Sequence, residues 1–151
     1  MNPNPENHSK MAADIFYREM DIDQGAYGQN IAAGVEANNV SAVITELFYN
    51  GEVSFYDDLY APDPTDPHAK DPDTTNFHEW GHFSQMVWVN TTEVGCATVD
   101  CSSQGLANTG GNVAAHFTVC NYKAQGNMGG EYAANILKPR GDPTCYWNDG
   151  M

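Results

Sequence analysis

Between Ala61 and Thr75 the chain reads APDPTDPHAKDPDTT. Pro62, Pro64, Pro67 and Pro72 remove backbone donors and fix φ, so this stretch can join neither a helix interior nor the middle of a sheet. Asp63, Asp66, Asp71 and Asp73 add carboxylates that favour turns over regular structure. An exposed loop is predicted here, and regular structure has to be built on either side of it.

Upstream, Ser9 to Met20 is predicted as a short helix, with Met11, Ile15 and Phe16 on one side and Ser9 as its N-cap. Asn38 to Leu59 is predicted as a second helix. Asn39 or Ser41 would cap it, Val43, Ile44, Leu47 and Phe48 make an apolar stripe, and Gly51 weakens or ends it. Downstream, Phe83, Met86 and Val87 repeat at helical spacing, while Val94 to Val99 and His116 to Tyr122 concentrate strand formers. Ser102 to Asn112, rich in Gly, Ser and Asn, would join those strands as a hairpin loop. Helices and strands mix without a βαβ rhythm, so the class is α+β, and 151 residues suit one domain.

Acidic side chains number 20 against 6 basic ones, a formal net charge of −14. That balance repels phosphate backbones and anionic headgroups and argues against a nucleic-acid partner. No apolar run approaches the ~20 residues of a membrane span, and the opening MNPNPENHSK shows no apolar stretch of a signal peptide. Cys96, Cys101, Cys120 and Cys145 allow three disulfide pairings. Zinc is the rival use, but strand-like Ala97 to Asp100 separates the first two cysteines, unlike the tight pairs of zinc turns. Disulfides are the favoured reading, and they imply an oxidising compartment. Sequons at Asn7, Asn39 and Asn90 are close to the number chance would supply in a chain this rich in Asn, Ser and Thr.

His78-Glu79-Trp80-Gly81-His82 has the spacing that sets two imidazoles one helical turn apart around zinc, with the glutamate as general base. The chemistry needs a continuous helix and a third ligand. Gly81 weakens a helix by about 1 kcal/mol relative to Ala, and Trp88 stands where a further histidine would complete one known zinc-peptidase pattern. A zinc-dependent peptidase built on His78, Glu79 and His82 is therefore the minor reading.

The same residues fit a more specific pattern. Gly81-His82-Phe83-Ser84-Gln85-Met86-Val87-Trp88, followed by Thr91, Val94, Gly95 and Cys96, closely resembles the first signature of the CAP superfamily of cysteine-rich secretory and pathogenesis-related proteins. Tyr27-Gly28-Gln29-Asn30-Ile31-Ala32-Ala33-Gly34 resembles that family's Gly-Glu-Asn loop. Phe48-Tyr49-Asn50-Gly51-Glu52, with Tyr56 after it, is similar to its glutamate-bearing helix, and Val119-Cys120-Asn121-Tyr122 with Gly126-Asn127 to its second signature. Four matches in order span most of the chain between Tyr27 and Pro139, and their wording looks most like fungal members.

The resemblance implies an α-β-α sandwich, usually secreted and disulfide-bonded, with a cleft where two histidines and two glutamates can hold a divalent cation. Carried over by position, His82 is the second cleft histidine, Glu52 the second glutamate, and Gln29 occupies the first glutamate's place. Arg18 to Asp23 reads REMDID, without the first histidine or its neighbouring cysteine. A metal set of His82, Glu52 and Gln29 implies a weak or lost site, at most a loosely held zinc, and no required cofactor. A core histidine that bonds within its helix start is an equal reading of His82. By the same resemblance Cys96 pairs with Cys120, and Cys101 is left free or joined to Cys145.

The resulting organisation is an atypical N-terminal segment 1–22, a CAP domain 23–139 and a tail 140–151, incomplete at the N-terminus and lacking the family's first helix. The implied function is non-enzymatic: an extracellular binder of sterols or other small lipids with a role in host–microbe interaction. Phe55, Tyr56, Tyr60, Phe77 and Trp80 are aromatics that could line an apolar groove, though no lipid contact is assigned among them. A degenerate domain without a ligand is the remaining reading.

Overall fold

Thr118 to Tyr122 are buried without interruption, the pattern of a strand covered on both faces. They form the middle of His116–Lys123 (β3), the central strand of a three-stranded antiparallel sheet in a computed structural model that describes residues 27–103, 105–106 and 113–141. Gly28–Ala33 (β1) flanks β3 on one side and Glu93–Asp100 (β2) on the other. Both strands expected downstream of the Pro/Asp-rich segment are present. β1 is a correction, because Tyr27 to Gly34 reads as a loop in sequence. Its residues pair with β3 from Gly28↔Tyr122 to Ala33↔Phe117, and the alternation of buried Gly28 and Asn30 with exposed Gln29 and Ile31 is that of an edge strand. Only tertiary pairing makes this short polar run a strand.

The helix expected from Asn38 to Leu59 is shorter than its apolar stripe suggests. A 3-10 turn Ala37–Asn39 leads into a helical stretch over residues 40–50 (α1), which opens over Val43–Asn50 to bonds that skip five residues. Gly51 N donates back to Glu46 O at 2.9 Å and ends it, and a separate 3-10 turn, Val53–Tyr56, follows. Asn39 precedes the helix but makes no side-chain capping bond. Gly81–Met86 forms α2 and Tyr132–Asn135 forms α3.

Val43 and Phe48 of α1 pack with Cys120 and Tyr122, which places α1 on the even-numbered face of β3. A second cluster joins Val53, Tyr56, Trp80, Phe83, Trp88, Tyr132 and Ile136, with Tyr56 and Tyr132 meeting Trp80 edge to face. Gln85 locks α2 to the sheet. Its Oε1 accepts from Gly126 N at 2.8 Å, its Nε2 donates to Thr91 Oγ1 at 3.1 Å, and its amide fills the space where a Cβ on Gly28 would stand 1.9 Å from Oε1.

The Pro/Asp-rich segment is an exposed succession of turns, as its composition predicts. Asp63, Asp66 and Asp73 each accept from the backbone N–H two residues on, and Asp71 Oδ2 accepts from Gly130 N. Among the described residues no helix is long and apolar enough to cross a membrane. The helix expected at Ser9 to Met20, the segment 1–22 where the family's first helix is expected to be lacking, most of the tail and Cys145 lie outside the described residues.

Candidate functional site

Glu52 follows the end of α1 and is buried, 8 % exposed. A carboxylate removed from water needs donors for its oxygens. Glu52 finds them at the start of α2: Oε2 accepts from His82 N and Phe83 N, each at 2.9 Å, and Oε1 meets His82 Nδ1 at 2.5 Å. Glu52 thus satisfies first-turn N–H groups that α2 cannot satisfy itself, and its negative charge sits at the positive end of the helix. The same contact fixes the imidazole, whose ring stacks on Phe48 at 4.7 Å between centroids.

His82 forms one wall of a cavity of about 310 Å³, which Gln29, Asn30, Phe77, His78, Gly81 and Asn127 also line. Asn30 is buried and its Nδ2 donates to His82 O at 3.1 Å and to Tyr122 Oη at 3.0 Å. Asn127, in the left-handed region at φ 56°, donates from Nδ2 to Gly81 O at 2.9 Å and accepts from Ser84 Oγ at 2.6 Å. Phe77 supplies the apolar wall. Its ring meets Trp80 edge to face and lies over Gly81, where a Cβ would come within 2.7 Å of the ring carbons. Glycine at 81 is what lets the aromatic approach.

Of the expected metal residues, His82 and Glu52 are in direct contact, whereas the Gln29 amide is turned to Asn121, with Nε2 donating to Oδ1 at 2.8 Å. Gln29 and Asn121 are register partners in β1 and β3, and Gln29 is adjacent to Asn30, whose side chain enters the α1 face. Both Glu52 oxygens are occupied by N–H groups, which leaves the second ring nitrogen of His82 as the one unspent atom of the pair. A zinc ion asks for three or four protein ligands, and among the described residues no three His, Cys, Asp or Glu side chains converge in that way. The described residues do not fit a zinc centre.

The H-E-x-x-H spacing is not a helical motif in the fold. His78 and Glu79 end a 3-10 run, Thr74–Glu79, and Trp80 at φ −143°, ψ 0° breaks it from α2. His78 and His82 both reach the cavity, but from two separate elements. Asp73 caps the first, accepting from Thr75 N, and Glu52 serves the second.

Of the aromatics that could line a groove, Phe77 borders the cavity, while Tyr56 and Trp80 are core residues, Tyr60 packs against that core and Phe55 is exposed outside it. Asn30 and Asn127 stand inside matched motifs, yet nothing in the sequence marks them as cavity residues. Their only sequence signal is adjacency to Gln29 and Gly126 within those motifs.

Cys96 and Cys120 form a disulfide across directly paired positions of β2 and β3, the pairing that the CAP resemblance implies. Cys101 is buried just beyond β2. With the disulfide, the cleft pair and the sheet in place, comparison with known proteins decides the family. A model of the CAP family, described as the cysteine-rich secretory protein family, matches residues 6–122. The chain belongs to the CAP family. Among relatives of this CAP chain, a probable pathogenesis-related protein of Arthroderma benhamiae is 43% identical over 135 residues, covering 89% of this chain and 40% of that protein. Protein PRY2 of Saccharomyces cerevisiae is 34% identical over 113 residues, 75% of this chain and 26% of the relative. Secreted protein PRY1 of Candida albicans is 28% identical over 117 residues, 75% and 20% respectively. The CAP chain thus spans well under half the length of these curated relatives.

Proposed function

We propose that this CAP domain is an extracellular, non-enzymatic binder of sterols or other small lipids, with a pathogenesis-related role at a host–microbe interface. The observation that carries the reading is how the cleft is furnished. It has an aromatic wall, Phe77, and a fixed imidazole, but the hydroxyl beside that imidazole in sequence is committed elsewhere: Ser84 Oγ donates to Asn127 Oδ1 and contacts Gly81 O. Covalent catalysis needs a nucleophile within reach of its base, and the Glu52–His82 pair has no such partner among the hydrogen bonds of the described residues. A part-apolar cavity with a few directed polar groups is the usual form of a small-molecule binding site. The disulfide supports an oxidising compartment, as does the Candida relative named as secreted.

The test is direct binding of dispersed cholesterol and palmitate to the purified chain, followed by its intrinsic tryptophan fluorescence. Saturable binding of either, with no hydrolysis of peptide substrates, is the expected result. Failure to bind both, together with chelator-sensitive peptide cleavage that Glu79→Gln abolishes, would overturn the proposal.

A further inference from the structure

β2 is an edge strand that carries little to keep another sheet away. It lies outermost beside β3, and its pairing runs one to one from Glu93↔Lys123 to Asp100↔His116, with no bulge. No described strand pairs with its outer side. Edge strands are ordinarily blunted by charges, prolines, bulges or a covering segment, because their unpaired N–H and C=O groups invite a strand from another molecule. Between Glu93 and Asp100, β2 reads Val-Gly-Cys-Ala-Thr-Val, with neither a charge nor a proline, and Val94 is 58 % exposed.

Two of the three sequons bracket this edge. Asn90-Thr91-Thr92 ends directly before Glu93, and Val89 beside it is exposed. Asn39-Val40-Ser41 reaches β2 from the opposite end. The chain leaves β1 with Gly34 N donating to His116 O, at the register partner of Asp100, and the turn Ala37–Asn39 then lies against β2. Both sequon asparagines are exposed, and neither side chain joins the hydrogen bonds of the described residues. Asn90 is held instead by its backbone, whose N–H donates to Asn135 Oδ1 at 3.1 Å. Buried Asn30, Asn121 and Asn135, by contrast, spend their side-chain amides within the fold. The number of sequons carries no weight, but their placement does: from it we infer that Asn39 and Asn90 carry N-linked glycans that screen the outer edge of β2 from sheet pairing between copies of this chain. The inference rests on the extracellular part of the proposed function, because these glycans are added on the secretory route.

The donor is an oligosaccharide carried on a polyisoprenyl diphosphate. Transfer breaks the bond between C1 of the first sugar and the diphosphate oxygen and joins C1 to Nδ2 of the asparagine, which gives up one proton as the polyisoprenyl diphosphate leaves. The modified amide stays neutral, so the glycan adds bulk and hydroxyls at both ends of β2 without changing the net charge of −14. Neither amide has a bond among the described residues to lose on modification.

The experiment expresses the full chain behind a cleaved leader in a yeast and pools the protein from cells and medium. Peptide N-glycanase converts each glycan-bearing asparagine to aspartate, and peptide masses locate the change. Glycans are expected on both Asn39 and Asn90. A chain without a glycan at either position overturns the inference, whatever Asn7 carries, and leaves the extracellular and lipid-binding readings standing. A chain that emerges with Cys96 and Cys120 reduced fails the extracellular reading, and the inference with it. For the screening role, the glycosylated chain is compared with the Asn39→Gln, Asn90→Gln double variant by analytical ultracentrifugation at equal concentration, with near-ultraviolet circular dichroism to check that the variant is folded. Trimming the folded, unaltered chain to one sugar per site gives the same comparison without any substitution. Loss of the glycans is expected to shift monomer to dimer and to slow hydrogen exchange across Glu93–Asp100, with exchange across Gly28–Ala33 unchanged. A glycan-free chain that stays monomeric overturns the inference, and so does one that associates with exchange across β2 unaltered.

Discussion

Glu52 and Phe83 stand 31 residues apart, yet Glu52 Oε2 accepts from Phe83 N at 2.9 Å and from His82 N at the same distance. The start of α2 is therefore completed by a side chain from the turn after α1. Removing that carboxylate in Glu52→Ala leaves two first-turn N–H groups and the Nδ1 proton without their acceptor. The expected loss is about 3 kcal/mol, read as a fall in the urea midpoint at unchanged slope. Glu52→Gln keeps one oxygen for the backbone N–H groups but turns an amide toward Nδ1, and about half that loss is expected.

Gly28→Ala tests how α2 is keyed to the sheet. The added methyl would stand 1.9 Å from Gln85 Oε1, while Gln85 is held in place by Gly126 N and Thr91. Destabilisation of about 2 kcal/mol is expected from the displaced amide. In a Gln85→Ala background the methyl has nothing to displace, so the two substitutions should be strongly non-additive in a double-mutant cycle.

Which parts of this arrangement can be read from the chain depends on the range of the interaction. The Pro62 to Pro72 interval forbids regular structure whatever surrounds it, so its turns follow from local chemistry. β2 and β3 carry their own strand formers and are legible for the same reason. β1 is not, because Gly28 to Ala33 becomes a strand only against β3. The apolar stripe of α1 gives Val43 and Phe48 as buried residues, but its Leu47 is exposed, and the end of the helix depends on Gly51 returning to Glu46. At the cleft, motif resemblance brought Glu52 and His82 together, and the fold makes them touch. H-E-x-x-H misleads because spacing counts residues and is blind to the break at Trp80. Asn30 and Asn127 were invisible as cavity residues because what an amide binds is set by which carbonyls the tertiary fold delivers.

The Cys96–Cys120 bridge closes a loop with a sequence separation of 24. Loop-closure entropy for that length corresponds to about 3 kcal/mol. A Cys96→Ser, Cys120→Ser double variant is expected to lose about that much stability, measured by urea denaturation. Adding reductant to this variant should move its midpoint less than it moves that of the unaltered chain.

Alkaline pH should loosen the core through its tyrosines. Burial pushes the Tyr122 hydroxyl up from 10.0 to about 12, against a smaller lowering from its bond with Asn30. Tyr132 rises to about 12 through burial and then the nearby Asp71 charge, and Tyr60 to about 12 through burial, Asp57 and Tyr49. Tyr56 is raised further still, by burial and then Tyr132, Tyr60 and Asp71. Each group holds its proton more firmly folded than unfolded, so above pH 10 the unfolded chain has lost protons that the folded chain keeps. Stability should therefore be insensitive to these groups below about pH 10 and fall as pH rises toward 12. Denaturation midpoints across that window, with phenolate absorbance followed in parallel, provide the check. Tyr122→Phe gives up the Asn30 bond at neutral pH, but it removes one ionisable hydroxyl, so its stability should decline less steeply across the same window. A decline as steep as in the unaltered chain would mean that Tyr122 ionises no later than an exposed tyrosine.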